Sequence, residues 1–355
     1  MNIAWPRLHT GVGYALLAAG LFGASTPFAK ALVGQVSPLL LAGLLYAGSG
    51  IGLSLWALSR RWRGGNGGDA RLVARDIPWL AGAVLFGGVL GPALLMFGLQ
   101  YATAADASLL LNLESVLTAA LAWIVFRENV DRRIFLGMVV IVLGGALLSW
   151  DPAAGGGVSW GALGIAGACL CWAIDNNLTR AVSGGDPVHV AAIKGAVAGT
   201  INTSLALALG ASLPPWGALL GAATVGFFGY GVSLVLFVLA LRHLGTARTG
   251  AYFSTAPFVG ASLSLWFLGE SPATVFWVAG ALMALGVWLH VTERHSHEHL
   301  HEALEHDHRH RHDTHHQHAH DFPWDGSEPH SHPHRHEPMV HTHPHYPDIH
   351  HRHRH

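Results

Sequence analysis

The sequence predicts an all-α integral membrane protein, with ten transmembrane helices in two inverted five-helix repeats and a disordered tail. Three observations predict it. The 355-residue chain is 51% hydrophobic and only 12% charged, and its mean hydropathy is +0.37. Apolar stretches of about 20 residues, the length that crosses the hydrocarbon of a bilayer, recur through residues 10–291. The two halves of that region resemble each other, and residues 292–355 are rich in histidine.

Ten apolar segments are the predicted spans, and short loops with Pro, Gly, Asp and Arg separate them. The lipid bilayer is therefore the expected surrounding. A formal net charge of −1 gives no reason to expect nucleic acid as a partner. In chain order, the predicted spans are Thr10–Ala29, Pro38–Leu58, Ile77–Gln100, Ala105–Phe126, Ile134–Trp150, Trp160–Thr179, Val188–Gly210, Trp216–Leu241, Ala247–Leu268 and Ala273–Val291.

Basic residues predict the orientation of the spans, because they fall almost entirely in alternate loops. The other loops offer only Lys30. The positive-inside rule then places both termini in the cytoplasm, and we expect the membrane to be a bacterial inner membrane. The basic residues of the cytoplasmic loops are Arg60, Arg61, Arg63, Arg71, Arg75, Arg127, Arg132, Arg133, Arg180, Arg242 and Arg248.

Two stretches of sequence recur after a shift of about 142–150 residues. Each half has a span that ends in a glutamate, Glu128 in the first and Glu270 in the second. Since each half holds five spans, an odd number, the halves are predicted to be inverted in the membrane, as in many secondary transporters. The predicted domains are residues 10–150, 158–291 and 292–355. The matching stretches are Gln100–Leu110 with Arg242–Tyr252, and Gly11–Lys30 with Gly161–Arg180.

The Ala-x-x-Ser-Leu-Leu…Glu pattern at Ala105–Glu128, and its partner at Ala247–Glu270, resemble the EamA family of the drug/metabolite transporter superfamily. The resemblance covers about residues 10–291. It implies a ten-helix carrier that moves a small molecule, often outward, with proton coupling or exchange. The long histidine-rich tail departs from the family's ordinary short C-terminus, so the resemblance leaves the cargo open.

Polar residues within the spans are candidate site residues, because charges in hydrocarbon are costly. Glu114 lies about 13 Å into the fourth span, close to the bilayer midplane, and Asn112 is nearby on another face. A carboxyl group at that depth suits proton coupling or the binding of a substrate amine. A hydrogen bond to a neighbouring helix is the alternative explanation.

A second group of candidates lies on the sixth and seventh spans. Asp175, Asn176 and Asn177 are consecutive, and Lys194 lies at a similar depth on the next helix. We expect Asp175 and Lys194 to pair or to share a hydrated cavity, and a functional pair and a structural ion pair are equally compatible with the sequence. Asn202 lies on about the same face as Lys194, where it can line the path or bond to another helix.

Residues near the span ends have simpler interpretations. Glu128 and Glu270 are predicted to anchor loops. Lys30 and Arg180, which are related by the repeat, are predicted to extend toward the membrane surface. Pro257 is predicted to interrupt the ninth span.

The tail contains most of the histidines. Of 27 in the chain, all but His9, His189, His243 and His290 lie in residues 295–355. Imidazole binds zinc, nickel, copper and cobalt, and the binding weakens as histidine is protonated below about pH 6. A pH sensor and low-complexity sequence without a role are alternatives. With few large apolar residues, the tail is predicted to be disordered without metal. The predicted metal ligands are His295, His297, His299, His301, His306, His308, His310, His312, His315, His316, His318 and His320.

The sequence offers no nucleophile constellation and no phosphate-binding glycine loop, so we expect a transporter rather than an enzyme. Export of a small organic metabolite, with the tail as a metal-responsive regulator, is the first hypothesis. No histidine lies in the middle of a span, and therefore efflux of divalent transition-metal ions collected by the tail ranks second. A membrane-anchored metal buffer ranks third, because it leaves the charges within the spans unexplained.

Overall fold

The structure is a computed structural model that describes residues 10–62, 74–126, 132–151, 157–182, 186–244, 246–292, 296–301, 304–310, 330–336 and 339–344. The chain divides into two compact units, Met1–Glu293 and Arg294–His355. The first unit is predominantly helical and holds both sequence repeats.

The first half contains seven helices, a short 3-10 turn at Ala74–Asp76 and a π-helical segment at Val84–Leu90. A two-residue strand, β1 (Trp150–Asp151), follows the last helix. The seven helices are α1 (Thr10–Leu32), α2 (Pro38–Trp62), α3 (Ile77–Ala83), α4 (Gly91–Tyr101), α5 (Ala104–Leu110), α6 (Leu113–Phe126) and α7 (Arg132–Ser149).

The second half opens with β2 (Gly157–Val158), which pairs antiparallel with β1. A second π-helical segment lies at Gly226–Val232. The seven helices of this half are α8 (Trp160–Val182), α9 (Pro187–Ala208), α10 (Trp216–Val225), α11 (Ser233–Leu244), α12 (Thr246–Phe253), α13 (Ala256–Phe267) and α14 (Thr274–Val291).

The two halves repeat each other's irregularities. A shift of 142 residues carries the π-helical segment Val84–Leu90 onto Gly226–Val232. Turns at residues 111–112 and 254–255 break the helix at matching places, between α5 and α6 and between α12 and α13. Pro257 lies in the first turn of α13, just after the break that the sequence predicts. These shared departures from regular helix support the two-repeat architecture.

Eight helical segments of the described residues are long and apolar enough to cross a bilayer. They correspond to the first five predicted spans and to the seventh, eighth and tenth. The sixth and ninth predicted spans are helical in the structure, as α8 and as α12 with α13, but are not among these eight. The third span is built from α3, the first π-helical segment and α4.

Helices of one half pack against helices of the other. α2 packs against α9, α7 against α14, α4 and α6 against α8, and α1 against α11 and α13. The crossing of α2 and α9 depends on glycine, because a Cβ on Gly195 would lie 2.5 Å from the backbone nitrogen of Gly50. Small residues let membrane helices approach closely, and this crossing shows one use of them.

The outer surface of the first unit is apolar. Ile51 and Leu55 on α2 have exposed fractions of 63% and 62%. Trp62, Trp216 and Trp266, near helix ends, are about four-fifths exposed. Apolar surfaces of this kind face lipid, and tryptophans gather at the level of the lipid headgroups. The surface therefore fits an integral membrane protein.

The second unit contains four described strands: β3 (Ser296–His301), β4 (Leu304–His310), β5 (His330–His336) and β6 (Met339–Pro344). β3 pairs antiparallel with β6, and β4 with β5. The sequence predicts a disordered tail, and these four stretches differ from that prediction. Their alternation of histidine with other residues has the period of a strand, and strand pairing satisfies backbone groups without an apolar core.

Candidate functional site

The centre of the candidate site is a buried ion pair between α8 and α9. Nζ of Lys194 donates to Oδ1 and Oδ2 of Asp175 at 2.6 and 2.7 Å. The Thr179 hydroxyl also donates to Oδ1 of Asp175, at 2.7 Å. All three residues are buried, and Lys194 is only 2% exposed. The predicted pairing of Asp175 with Lys194 is confirmed, and its role in transport stays a prediction.

The first π-helical segment packs directly onto this pair. A Cβ on Gly87 would lie 1.8 Å from Oδ2 of Asp175, so only glycine fits there. π-Helical turns leave backbone carbonyls without their usual partners. The carbonyl of Gly87 accepts hydrogen bonds from the hydroxyl of Tyr46 at 2.6 Å and from Nε1 of Trp172 at 3.0 Å. Side chains from both halves thus hold the segment against Asp175.

Asn202 on α9 supports the same segment. Its Nδ2 donates to the carbonyls of Gly88 and Val89 at 3.2 and 3.4 Å. Its Oδ1 is buried without a hydrogen-bond partner among the described residues. Of the two roles that the sequence left open, the structure gives Asn202 the bond to another helix.

Glu114 and Asn176 form the second polar contact of the site, between α6 and α8. Nδ2 of Asn176 donates to Oε1 of Glu114 at 2.8 Å and lies 3.5 Å from the Thr118 hydroxyl. Glu114 is in the first turn of α6, immediately after the break in the fourth span. Since Asn176 follows Asp175 in sequence, α8 carries both polar contacts at one level.

The two remaining predicted residues, Asn112 and Asn177, each donate a hydrogen bond to a carbonyl of their own segment. Nδ2 of Asn112, in the break itself, donates to the carbonyl of Leu109 at 3.0 Å and lies 3.8 Å from Sδ of Met283. Oδ1 of Asn112 is buried without a described partner. Nδ2 of Asn177 donates to the carbonyl of Ala173 on its own helix at 2.9 Å. The structure therefore brings Asp175, Asn176, Lys194 and Glu114 into side-chain contacts, but not Asn177.

An aromatic cluster that the sequence analysis did not identify lies beside these contacts. The ring of Phe22 lies 5.8 Å from Trp172, 5.9 Å from Tyr230 and 5.4 Å from Phe253, measured between centroids. Tyr46 and Tyr230 are 5.3 Å apart. The cluster joins helices from both halves, and the buried Tyr230 hydroxyl has no partner among the described residues. Its members are scattered in sequence, so no local motif indicates it.

A polar clamp, formed by Lys30 and Glu270, holds the loop between α4 and α5. Nζ of Lys30 donates to the carbonyls of Leu99 and Ala102 at 2.5 and 2.7 Å. The Glu270 carboxylate accepts from the backbone nitrogens of Ala104 and Ala105 at 2.9 and 2.8 Å. A cation at the C-terminus of one helix and an anion at the N-terminus of the next each interact favourably with the helix dipole. The predicted anchoring role of Glu270 is confirmed. Lys30 binds protein carbonyls, and its extension toward the membrane surface stays a prediction.

Some predicted residues lie outside what the structure describes. Arg63, Arg71, Arg127 and Glu128 fall in gaps, as do six of the predicted metal ligands, His295, His312, His315, His316, His318 and His320. The backbones of His297, His299, His301, His306, His308 and His310 lie on β3 and β4. Among the described residues, no group of three or more His, Cys, Asp or Glu side chains is placed to hold a metal ion.

An apolar helical body with two like halves, broken helices and polar contacts between them defines a class, the membrane transporters built from repeats. The model of the EamA-like transporter family matches residues 9–150 and 159–292. The chain therefore belongs to the EamA-like transporter family.

Two curated relatives are named as transporters, and a solved structure shares the fold. An uncharacterized transporter of Methanothermobacter thermautotrophicus is 27% identical over 303 residues, which cover 81% of this chain and 87% of the relative. The uncharacterized transporter YyaM of Bacillus subtilis is 28% identical over 212 residues, or 55% of this chain and 67% of the relative. A solved structure titled only "Crystal structure of protein" has a TM-score of 0.61 at 19% identity and covers 79% of this chain and 98% of its own, which shows the fold alone.

Proposed function

We propose that this protein is a secondary transporter that exports a small organic metabolite by alternating access. Membership in a transporter family supports the movement of a small substrate across the bilayer. The matching irregularities of the two halves support an inverted repeat of five spans each, ten in all. In such a carrier the halves exchange conformations around one central site. With the basic loops in the cytoplasm, both termini lie on the cytoplasmic side of a bacterial inner membrane.

The observation that carries this proposal is the meeting of two polar contacts on α8. Asn176 holds Glu114 of the first half, and Asp175 holds Lys194 of the second. Charged groups within a membrane are costly and tend to mark substrate or ion pathways. A solute with an ammonium and a carboxylate group offers each of these side chains an alternative partner. Glu114 would bind the ammonium group, and Lys194 the carboxylate.

Glu114 is also the group that we assign to coupling. Its partner Asn176 is neutral, so the carboxyl group can hold a proton or a substrate amine without breaking an ion pair. Asp175, in contrast, is bound to an ammonium group and to the Thr179 hydroxyl. The two acidic residues therefore have different roles in the proposal.

The test is export from proteoliposomes loaded with a bacterial metabolite extract, with the released solutes identified by mass spectrometry. Glu114→Gln and Asn176→Ala are each expected to reduce release about tenfold or more, the effect of losing a hydrogen bond to a charged group. Thr200→Val is the matched control, because the exposed Thr200 hydroxyl bonds, among the described residues, only the Ala196 carbonyl of its own helix. Normal release by Glu114→Gln, in a correctly inserted protein, would remove it from the mechanism.

The tail is proposed to bind zinc, nickel, copper or cobalt and to regulate the carrier. The strand registers support this: His297 is opposite His343, His299 opposite His341, and His308 opposite His332. Facing positions on paired strands are close enough for their side chains to share a ligand. Deletion of residues 295–355 is expected to leave basal export intact and to abolish its response to added metal.

Efflux of a transition metal is the competing function, and the histidine content of the tail is the observation that favours it. In that case the tail would pass ions to the helical body. Glu114 and Asp175 would then bind the ion, and flux of metal would replace flux of metabolite in the same proteoliposomes.

A further inference from the structure

A groove on the outer surface of the first unit lies between one face of α2 and one face of α9. Its volume is about 380 Å³. Ala57 and Ala192 are its buried floor, and Leu58 and Ile193 are walls with exposed fractions of 42% and 38%. The lining residues recur three or four positions apart on each helix, so the groove follows both helix axes.

One end of this groove carries positive charge. Arg61, in the last turn of α2, and His189, in the first turn of α9, both line it and are exposed. Nearby, Arg60 forms a short ion pair with Asp186, which also accepts from the backbone nitrogen of Val188 at 2.9 Å.

The negative charge of Asp186 is already compensated by its ion pair with Arg60. Burial raises the pKa of this carboxyl group, but the hydrogen bonds from Arg60 and Val188 outweigh burial, and its pKa lies below the usual value. Oδ2 of Asp186 also lies 3.5 Å from Nδ1 of His189. Arg61 has no hydrogen-bond partner among the described residues, and its guanidinium is left to bind an anion.

We propose that this groove binds an anionic phospholipid. The phosphate lies between Arg61 and His189, and an acyl chain lies along Leu58 and Ile193. Basic residues at the end of an apolar groove between membrane helices match both parts of such a lipid. This site is separate from the proposed transport site, because Lys194 is buried while the adjacent Ile193 faces outward.

The test uses the full-length protein in a neutral detergent, titrated with phosphatidylglycerol or with phosphatidylcholine of the same acyl chains. The readout is the shift in the thermal unfolding midpoint. Phosphatidylglycerol is expected to raise the midpoint more than phosphatidylcholine. Arg61→Gln is expected to raise the half-maximal concentration about fivefold, the effect of one basic residue near anionic lipid. Ala196→Trp, which fills the groove and keeps Arg61, is expected to weaken the effect as well.

Arg133→Gln is the matched control, since Arg133 is an exposed arginine at the start of another helix, α7. It is expected to leave the phosphatidylglycerol effect unchanged. Equal shifts from the two lipids, an unchanged response of Arg61→Gln, or equal weakening by Arg133→Gln would each overturn the proposal. So would an equal shift from inorganic phosphate alone, which would indicate a free-anion site.

Discussion

At the scale of single residues, the Asp175 carboxylate and the Lys194 ammonium group depend on each other. Both are buried, and among the described residues the three hydrogen bonds to the Asp175 carboxylate come from Lys194 and Thr179. Removing one partner of such a pair leaves an uncompensated buried charge, which destabilises a protein by about 3–5 kcal/mol. Replacing both partners is less harmful, because no charge is left behind.

This dependence predicts an asymmetry between single and double variants. Asp175→Asn and Lys194→Met are each expected to unfold at a lower temperature than the wild type. The double variant is expected to unfold above both single variants, yet to export no metabolite, since the proposed contact of Lys194 with the substrate carboxylate is gone. Thermal unfolding in detergent and export from proteoliposomes measure the two effects. A double variant with normal export would make the pair purely structural.

At the scale of elements, the two π-helical segments bring the halves together in equivalent ways. Gly87 of the first segment packs on Asp175 of α8, and Gly229 of the second packs on Ser25 of α1. Ser25 and Asp175 are themselves related by the repeat, at a shift of 150 residues. One arrangement is thus used twice, with a carboxylate in one copy and a hydroxyl in the other. Because Ser25 has no carboxylate, the ion pair that Asp175 forms with Lys194 has no counterpart at Ser25 among the described residues.

Close packing at Gly87 gives a prediction about the π-helical segment. Gly87→Ala puts a Cβ within 1.8 Å of the Asp175 carboxylate, so the segment and α8 must separate. We expect a lower unfolding temperature and a loss of export. Gly20→Ala on α1 is the control, because a Cβ there meets nothing within 4 Å. Replacement of a helical glycine in open space is expected to be neutral or to stabilise by about 0.5–1 kcal/mol. Equal behaviour of the two variants would contradict this account of the segment.

The sequence was sufficient for some of these features and not for others. The Asp175–Lys194 pair followed from helical rise, since both residues lie at similar depth on consecutive helices. The π-helical segments did not, because Val84–Leu90 is as apolar as the helix around it and its changed hydrogen bonding depends on Tyr46 and Trp172 from distant segments. The contact of Glu114 with Asn176 could not be predicted either, since the order of the helices does not indicate which face of α8 packs against α6.

At the scale of the whole molecule, contacts between the halves include the Glu114–Asn176 hydrogen bond and the aromatic cluster. The polar clamp of Lys30 and Glu270 holds the loop between α4 and α5. The sequence relates Lys30 to Arg180 and Glu270 to Glu128, so a matching clamp is predicted for the loop between α11 and α12. In an inverted repeat these two loops lie on opposite sides of the membrane, as alternating access requires.

The most direct test of an organic cargo compares two fluxes in one preparation. Full-length protein in proteoliposomes is assayed for release of metabolites, and for flux of zinc, nickel and cobalt with a trapped fluorescent indicator, beside Glu114→Gln. We predict protein-dependent release of at least one metabolite, lost in Glu114→Gln, and metal flux no greater than in empty liposomes. Metal flux that requires Glu114, with no metabolite released, would contradict the account and make this protein a metal carrier.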